Sequence, residues 1–441
     1  MKVAVITGLI AISACNASTG TLELDLATAP GSTVLSAIDR LRLTLTSPAA
    51  TYETTRSAQG LDLAFEIEAV ETEGEIYVEG FDASGARIVV GQSPPFPLAG
   101  TNGRVVIYVA APFSFEAAPT SYLEPPRSQV AGVVAPYGAV LAGGLDAGGV
   151  PSTAIAVYNI YDHTIGYGEN MPAPRASPTL AANDTAGVYI FGGTDENAMA
   201  TSTLYRFQTN VAPRGTYAII GANPGLESSG QTAIELGPDS FFVTGTRPVL
   251  LEDSTITQIQ ALANVPATAT GISTSTQRVA AFVRESAVGF YAADGTIGAV
   301  PLPTIDGERA IVTATTRGTA IVVGGSSRDI YLVTITTATV ETRSLVLSVV
   351  RRSPTVAATS RHVLVANGFD ETGTLNRTAD ILDATTLELL RTVPLDPRAN
   401  AVALPMPNDQ ILITGGLEPG GIANGYIELF TPPVPTDPAP P

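Results

Sequence analysis

Ala139-Val140-Leu141-Ala142-Gly143-Gly144 is a short apolar run closed by two glycines, and it returns along the chain. Close copies are Val188-Tyr189-Ile190-Phe191-Gly192-Gly193, Ala320-Ile321-Val322-Val323-Gly324-Gly325 and Ile411-Leu412-Ile413-Thr414-Gly415-Gly416. Weaker copies fill the gaps: Phe241-Phe242-Val243-Thr244-Gly245-Thr246, Ala280-Ala281-Phe282-Val283-Arg284-Glu285 and Val363-Leu364-Val365-Ala366-Asn367-Gly368. The last residues of successive copies are 49, 53, 39, 40, 43 and 48 positions apart. A period of that size is the mark of propeller blades. The glycine pair fits a tight reversal where blades crowd together, because glycine reaches positive φ without a Cβ penalty.

Two further marks keep the same period. Arg127, Arg175, Arg309, Arg352 and Arg398 precede the end of their own copies by 17, 18, 16, 16 and 18 residues. The third and fourth copies lack both the Arg and the glycine pair. An aromatic or apolar strand then follows at 154–158, 203–207, 329–333, 379–382 and 426–430. This constellation resembles the kelch repeat, whose second strand ends in a Gly pair, whose first strand often opens with an Arg, and whose second half commonly carries a Tyr and then a Trp. The chain has no Trp, so the resemblance is to divergent bacterial kelch-like propellers. It covers 118–432 and implies a seven-bladed β-propeller.

The recurrent Arg has two readings. Its guanidinium can span adjacent blades and pair with scaffold carboxylates or carbonyl oxygens, or the five can form an anion-binding ring on one rim. The scaffold reading comes first, because an Arg at a buried edge needs its charge and hydrogen bonds met locally. Asp146, Asp195, Asp370 and Glu418 follow glycine pairs in loops containing Gly or Asn, which predicts Asx-type turns. Closure of the ring is also predicted. The last copy offers strands at 399–404, 410–414 and 426–430 and lacks a fourth, while Thr120-Ser121-Tyr122-Leu123 stands ahead of Arg127 like an orphan outer strand. Pairing it into the last blade would remove an open sheet edge. The Pro-rich tail 433–441 is predicted extended.

Ahead of the repeats, over 20–113, the pattern changes to period two, with runs at 21–26, 41–45, 49–55, 61–67, 75–81, 87–90 and 104–109. Leu41-Arg42-Leu43-Thr44-Leu45 places every apolar side chain on one face of a strand. Seven short strands predict an immunoglobulin-like β-sandwich, without the Cys pair or Trp of antibody domains. The chain is therefore expected to be all-β. Glu66, Glu68, Glu71, Glu73 and Glu75 read as a solvated acidic turn, since no spaced calcium-ligand loop accompanies them.

The first fifteen residues read as an export signal. Lys2 supplies the positive start, and 3–14 is an uncharged apolar stretch well short of the roughly 20 residues a membrane span needs. It ends in Ile12-Ser13-Ala14-Cys15, which resembles the bacterial lipobox; that motif implies a lipidated Cys15 and an acyl anchor. The other reading is an ordinary signal cleaved near Ala14. Asn16 lacks the Asp that retains some lipoproteins at the inner membrane, so the outer membrane is expected, with the first domain close to the bilayer.

Composition narrows the function. The 441 residues carry 41 Asp and Glu against 23 Lys and Arg, a formal net charge of -18, so a nucleic-acid partner is not expected. One Cys and two His leave no disulfide framework or Cys/His zinc cluster, and no metal or cofactor is expected. His163 and His362 fall in different repeats. Copper oxidases on kelch propellers use a Tyr cross-linked to a Cys plus a His pair, a set this chain does not offer. No G-x-S-x-G elbow occurs. The leading expectation is a cell-envelope lipoprotein, not an enzyme, that binds or scaffolds an envelope protein or glycan through its propeller face. The alternative is a carboxylate-dependent glycan hydrolase in the propeller funnel.

Overall fold

The apolar runs become the second strands of seven four-stranded antiparallel sheets. A computed structural model describes residues 19–68, 71–97, 102–182, 187–209 and 214–435. The leader with Cys15 and the end of the Pro-rich tail lie outside the described residues. Gly138–Ala142, Gly187–Phe191, Thr319–Gly324, His362–Ala366 and Ile411–Thr414 are buried at every position. That burial explains their unbroken apolar sequence: each lies between neighbouring blades and has no face left for water.

The first strands line the axis and neighbour one another in sequence around the ring, with Val402–Pro405 returning against Ala131–Ala135. Ser114–Tyr122 supplies the outer strand of the seventh sheet, with Phe115 opposite Phe430 and Tyr122 opposite Tyr426. The predicted closure therefore holds, and the closing strand begins earlier than the orphan stretch suggested.

At the end of the second strand in every blade but the fourth, the chain turns through left-handed backbone. Gly143 and Gly144 have φ of 62° and 101°, and a Cβ on Gly144 would stand 2.6 Å from the Ser128 carbonyl oxygen. Only glycine meets both the conformation and the contact. Asn367 takes the first position in blade six at φ 53°, a conformation Asn tolerates better than other side chains.

The N-terminal strands form where the alternation predicts them. In Arg40–Thr46, Leu41, Leu43 and Leu45 point inward at 0–1% exposure while their neighbours are partly exposed. The strands join as one seven-stranded sheet in the order Ala49–Thr55, Arg40–Thr46, Ile76–Phe81, Arg87–Gln92, Asn102–Ala110, Thr19–Ala27, Ala64–Glu68. Asn102–Ala110 makes the connection. Residues 102–108 run parallel to Thr19–Ala27, and Val109 and Ala110 pair antiparallel with Gly91 and Val90. This shared strand bends the sheet around its core, in place of the two separate facing sheets of the expected sandwich. A Cβ on Gly91 would lie 2.5 Å from the Tyr108 carbonyl oxygen, so the bend needs glycine there.

In each blade, the turns joining strands one to two and three to four lie on one face of the ring, and the remaining connections lie on the other. The first domain docks on the former. Arg361, in the first turn of blade six, donates to Pro433 O at 2.8 Å and to Gln92 Oε1 at 2.9 Å, and is paired with Asp409. Asn408 Nδ2 donates to Gln92 O at 3.2 Å, and Tyr77, Val90 and Val434 form a small apolar cluster. The opposite face is left open.

Candidate functional site

Four of the five recurrent arginines, all but Arg309, sit just before the first strands, where each blade enters from its neighbour. Arg127, Arg175 and Arg398 are 0–1% exposed. Arg127 Nη1 donates to Gly143 O and Ala154 O, both at 2.7 Å. Arg175 donates to Gly192 O at 2.6 Å and Thr203 O at 3.1 Å. These two guanidinium groups thus staple the glycine turn to the start of the third strand and satisfy carbonyls that the tight turn strands, whereas Arg398 donates to Asn424 Oδ1 at 3.1 Å and Tyr426 O at 3.2 Å. These groups face their own scaffold.

The two other predicted arginines do not share that place. In blade six it belongs to Arg351, 0% exposed, which donates to Asn367 O at 3.0 Å and Thr378 O at 2.7 Å. Arg352 is the next residue, half-buried, and pairs through its backbone with Phe369. The register is marked by the residue two beyond the staple, which is left-handed in every case: Gln129, Ser177, Ser353 and Asn400 have φ of 45–54°. An Arg-Arg doublet gives no local sign of which member turns inward. In blade five, Ser353 N donates to Glu308 O just as Ser177 N donates to Gln129 O. The left-handed residue of this blade is nevertheless Gly307, at φ 94°, and Ser326 N donates to Asp306 O as Thr194 N does to Ala176 O, so the staple position is Ile305. Arg309 lies four residues later, at the start of the first strand, and donates to Pro303 O at 2.8 Å and to Ile305 O itself at 3.3 Å.

What neutralises each staple differs from blade to blade. At the equivalent position of the third strand, Asp380 stands 3.4 Å from Arg351, and Glu428 pairs with Arg398. Blade two has Tyr205, its ring 4.7 Å from the Arg175 guanidinium carbon. Blade one has Ala156. Arg127 consequently has no carboxylate partner, Nε and Nη2 make no hydrogen bond among the described residues, and burial pushes its guanidinium down to about 10. Burial raises the Glu428 carboxyl, with Arg398 opposing. The carboxylate partners lie far along the sequence from their arginines and could be found only by aligning third strands.

On the open face, blades six, seven, one and two carry raised hairpins between their second and third strands. Asp146 Oδ1 accepts from Gly148 N and Val150 N at 2.8 and 2.9 Å. Asp195 repeats this with Asn197 N and Met199 N, and Asp370 with Thr372 N and Thr374 N. These are the predicted Asx-type turns. Glu418 differs: its longer side chain accepts from Asn424 Nδ2 at 2.8 Å. Val150, Met199 and Ile422 occupy equivalent tips and are 55%, 64% and 62% exposed.

The mouth of the axial channel on this face is a cavity of about 440 Å³ lined by Thr232, Thr268, Glu308, Arg309, Ser353 and Asn400 among others. Beside it, between blades four and five, a cleft of about 390 Å³ brings together Glu285, Asp306 and Glu308 with Arg284 and Arg309. Sequence reading had not singled out these carboxylates, which come from different connections.

Both histidines are consumed in packing at the docked face. His163 is 1% exposed; its Nε2 accepts from Tyr108 N at 3.2 Å, which places the ring proton on Nδ1, 2.8 Å from Tyr158 Oη. His362 is 5% exposed and lies against Phe113 and Phe430, with centroids 6.0 and 6.1 Å away. Burial pushes both imidazoles down to about 4, so both are neutral packing residues. Among the described residues no group of three or more His, Cys, Asp or Glu is placed to hold a metal ion.

No protein-family model matches the sequence, and no curated protein matches it. Solved structures do. YjhT is 15% identical over 71% of this chain and 97% of its own, with a TM-score of 0.43. A fungal alcohol oxidase of the AA5 family, in complex with copper, is 14% identical over 73% of this chain and 76% of its own, with a TM-score of 0.52. At that identity the likeness to the oxidase is one of fold alone, and the seven four-stranded sheets make that fold a seven-bladed β-propeller.

Proposed function

We propose that the chain is a cell-envelope lipoprotein, anchored through Cys15 in the outer membrane, whose kelch-like propeller is a non-catalytic binding or scaffolding module. The N-terminal domain, with the strand count of an immunoglobulin-like unit, serves as the spacer between the anchor and the propeller. The observation that carries this reading is the division of the propeller's two faces. The turn face is occupied by the spacer domain, and the opposite face presents raised hairpins with exposed aliphatic tips. Exposed apolar side chains on a raised, rigid frame suit recognition of a partner surface. The histidines, which most readily supply acid–base or metal chemistry, are locked between domains.

Two measurements test the reading. Wild-type protein should sediment with bacterial membranes and incorporate labelled fatty acid, and Cys15→Ser should do neither; equal membrane association would end the anchor assignment. A photo-crosslinking residue at Val150 should give discrete adducts in intact envelopes, and the same residue at Thr257, on the outer strand of blade three, should not.

The alternative, a carboxylate-dependent glycan hydrolase, draws on the cleft of Glu285, Asp306 and Glu308. Paired carboxylates of a glycosidase stand about 5 to 9.5 Å apart. Glycan hydrolysis by the purified protein, abolished in Glu308→Gln, would replace the binding-module reading.

A further inference from the structure

The two ends of the propeller sequence meet at the outer edge between blades seven and one, and they leave aromatic rings on the surface. Tyr122 ends the closing strand, Tyr426 opens the strand paired with it, and Tyr167 ends the outer strand of blade one. They are 36%, 50% and 40% exposed. Tyr122 and Tyr426 meet edge to face with centroids 5.2 Å apart. Tyr167 Oη accepts from Glu124 N at 2.9 Å and donates toward Tyr122 O at 3.5 Å. A Cβ on Gly425 would lie 2.9 Å from the Tyr122 ring, so the backbone supports that ring from beneath. Exposed tyrosines already held in place lose little freedom when a partner arrives, which makes them efficient contact residues. The tips Ile422 and Val150 belong to the hairpins of the same two blades.

The raised hairpins that flank this seam carry charge of one sign. The four raised loops, 145–151, 194–200, 369–375 and 417–423, contain Asp146, Asp195, Glu196, Asp370, Glu371 and Glu418 and no Lys, Arg or His. Glu124 adds an exposed carboxylate at the seam itself. Arg127 beneath it is fully buried and turned to carbonyl oxygens, Arg214 lines a cleft on the blade-two side of Tyr167, and the exposed Arg247, Arg284 and Arg377 lie on blades three, four and six. A cation is drawn to such a surface twice, by the aromatic faces and by the carboxylates. An anionic lipid surface is repelled, and the aliphatic tips call for apolar side chains on the partner.

We propose that the blade seven–blade one seam, with Tyr122, Tyr167 and Tyr426 and the hairpin tips Ile422 and Val150 of the same two blades, docks a cationic polypeptide segment that also carries aliphatic side chains. This rests on the binding-module reading and specifies the partner's chemistry. The test is titration of the full-length protein, extracted from membranes, with a fluorescent peptide of alternating Arg and Leu, and with its Glu–Leu counterpart. The Arg–Leu peptide binds, the Glu–Leu peptide does not, and Tyr426→Ala weakens binding about tenfold. The double variant Val150→Lys with Ile422→Lys, at exposed positions that folding does not use, weakens it by at least as much. No binding, equal binding to all variants, or an equal loss in a Glu66→Gln, Glu73→Gln control on the N-terminal domain overturns the proposal. If the peptide fails while the Val150 crosslink forms, the cationic partner is wrong and the binding module stands.

Discussion

Asp380→Asn keeps the shape of a buried side chain and removes its charge, which makes it a direct probe of the blade staple. The Asp380 carboxylate is 0% exposed and accepts from Ser348 N at 2.9 Å, Ser348 Oγ at 2.6 Å and Thr392 Oγ1 at 2.8 Å. It also lies 3.4 Å from Arg351, itself 0% exposed. Removing one member of a buried ion pair leaves the other uncompensated and costs about 3–5 kcal/mol. Blade one supplies the correction. Arg127 folds in place with Ala156 at the carboxylate position, held by two carbonyl oxygens at 2.7 Å. Arg351 keeps the equivalent carbonyls, at 3.0 and 2.7 Å, in the variant. The loss should therefore fall near the lower end, about 3 kcal/mol. Urea unfolding followed by circular dichroism reads the total, and amide exchange in Thr378–Asp383 reads the local part, since a ring of similar blades can open in pieces. A loss below about 1 kcal/mol, with Arg351→Met equally mild, would refute the claim that this pair holds the blade.

Arg352→Ala should cost less than about 1 kcal/mol while Arg351→Ala costs several times more in the same unfolding assay, because only Arg351 holds the turn. Gly144→Ala forces a side chain into φ 101° and to within 2.6 Å of Ser128 O; a loss of more than about 1 kcal/mol is expected in thermal melts, and an unchanged melt would contradict the turn geometry. His163 and His362 fall from 6.5 to about 4 on folding. The unfolded chain therefore takes up protons first. Stability is whole above pH 6.5 and declines as pH drops toward about 4, by at most about 3 kcal/mol per histidine. His163→Gln should flatten that decline in melting temperatures measured across the same range; an unaltered slope would mean His163 is not the group responsible.

The blade count was legible because its determinants are local. A reversal at positive φ favours glycine whatever surrounds it, and a strand covered on both faces demands an unbroken apolar run, so both marks recur in most copies with the period of the blade. The Asx turns at Asp146, Asp195 and Asp370 were legible for the same reason, since donor and acceptor lie two to four residues apart. Glu418 departs because one additional methylene carries its carboxylate past the turn to Asn424.

Tertiary structure decided the rest. Arg351 and Arg352 are chemically the same and adjacent, and only strand register selects the one that turns inward. Arg309 keeps the sequence spacing and loses the role, because a shift of four residues places it in a strand. Whether a staple meets Asp380, Glu428, Tyr205 or Ala156 depends on a third strand that the sequence reaches only after a hairpin of variable length. The N-terminal strands announced their inward faces by alternation, but their joining through one shared strand is a matter of partner choice, which a period of two does not encode. The tyrosine seam is the extreme case: Tyr122 and Tyr426 come from opposite ends of the propeller sequence and become neighbours only because closing the ring removes its exposed sheet edge. Local backbone geometry and burial leave a periodic trace in the sequence; pairing between distant segments does not, because its energy resides in a contact neither segment specifies alone.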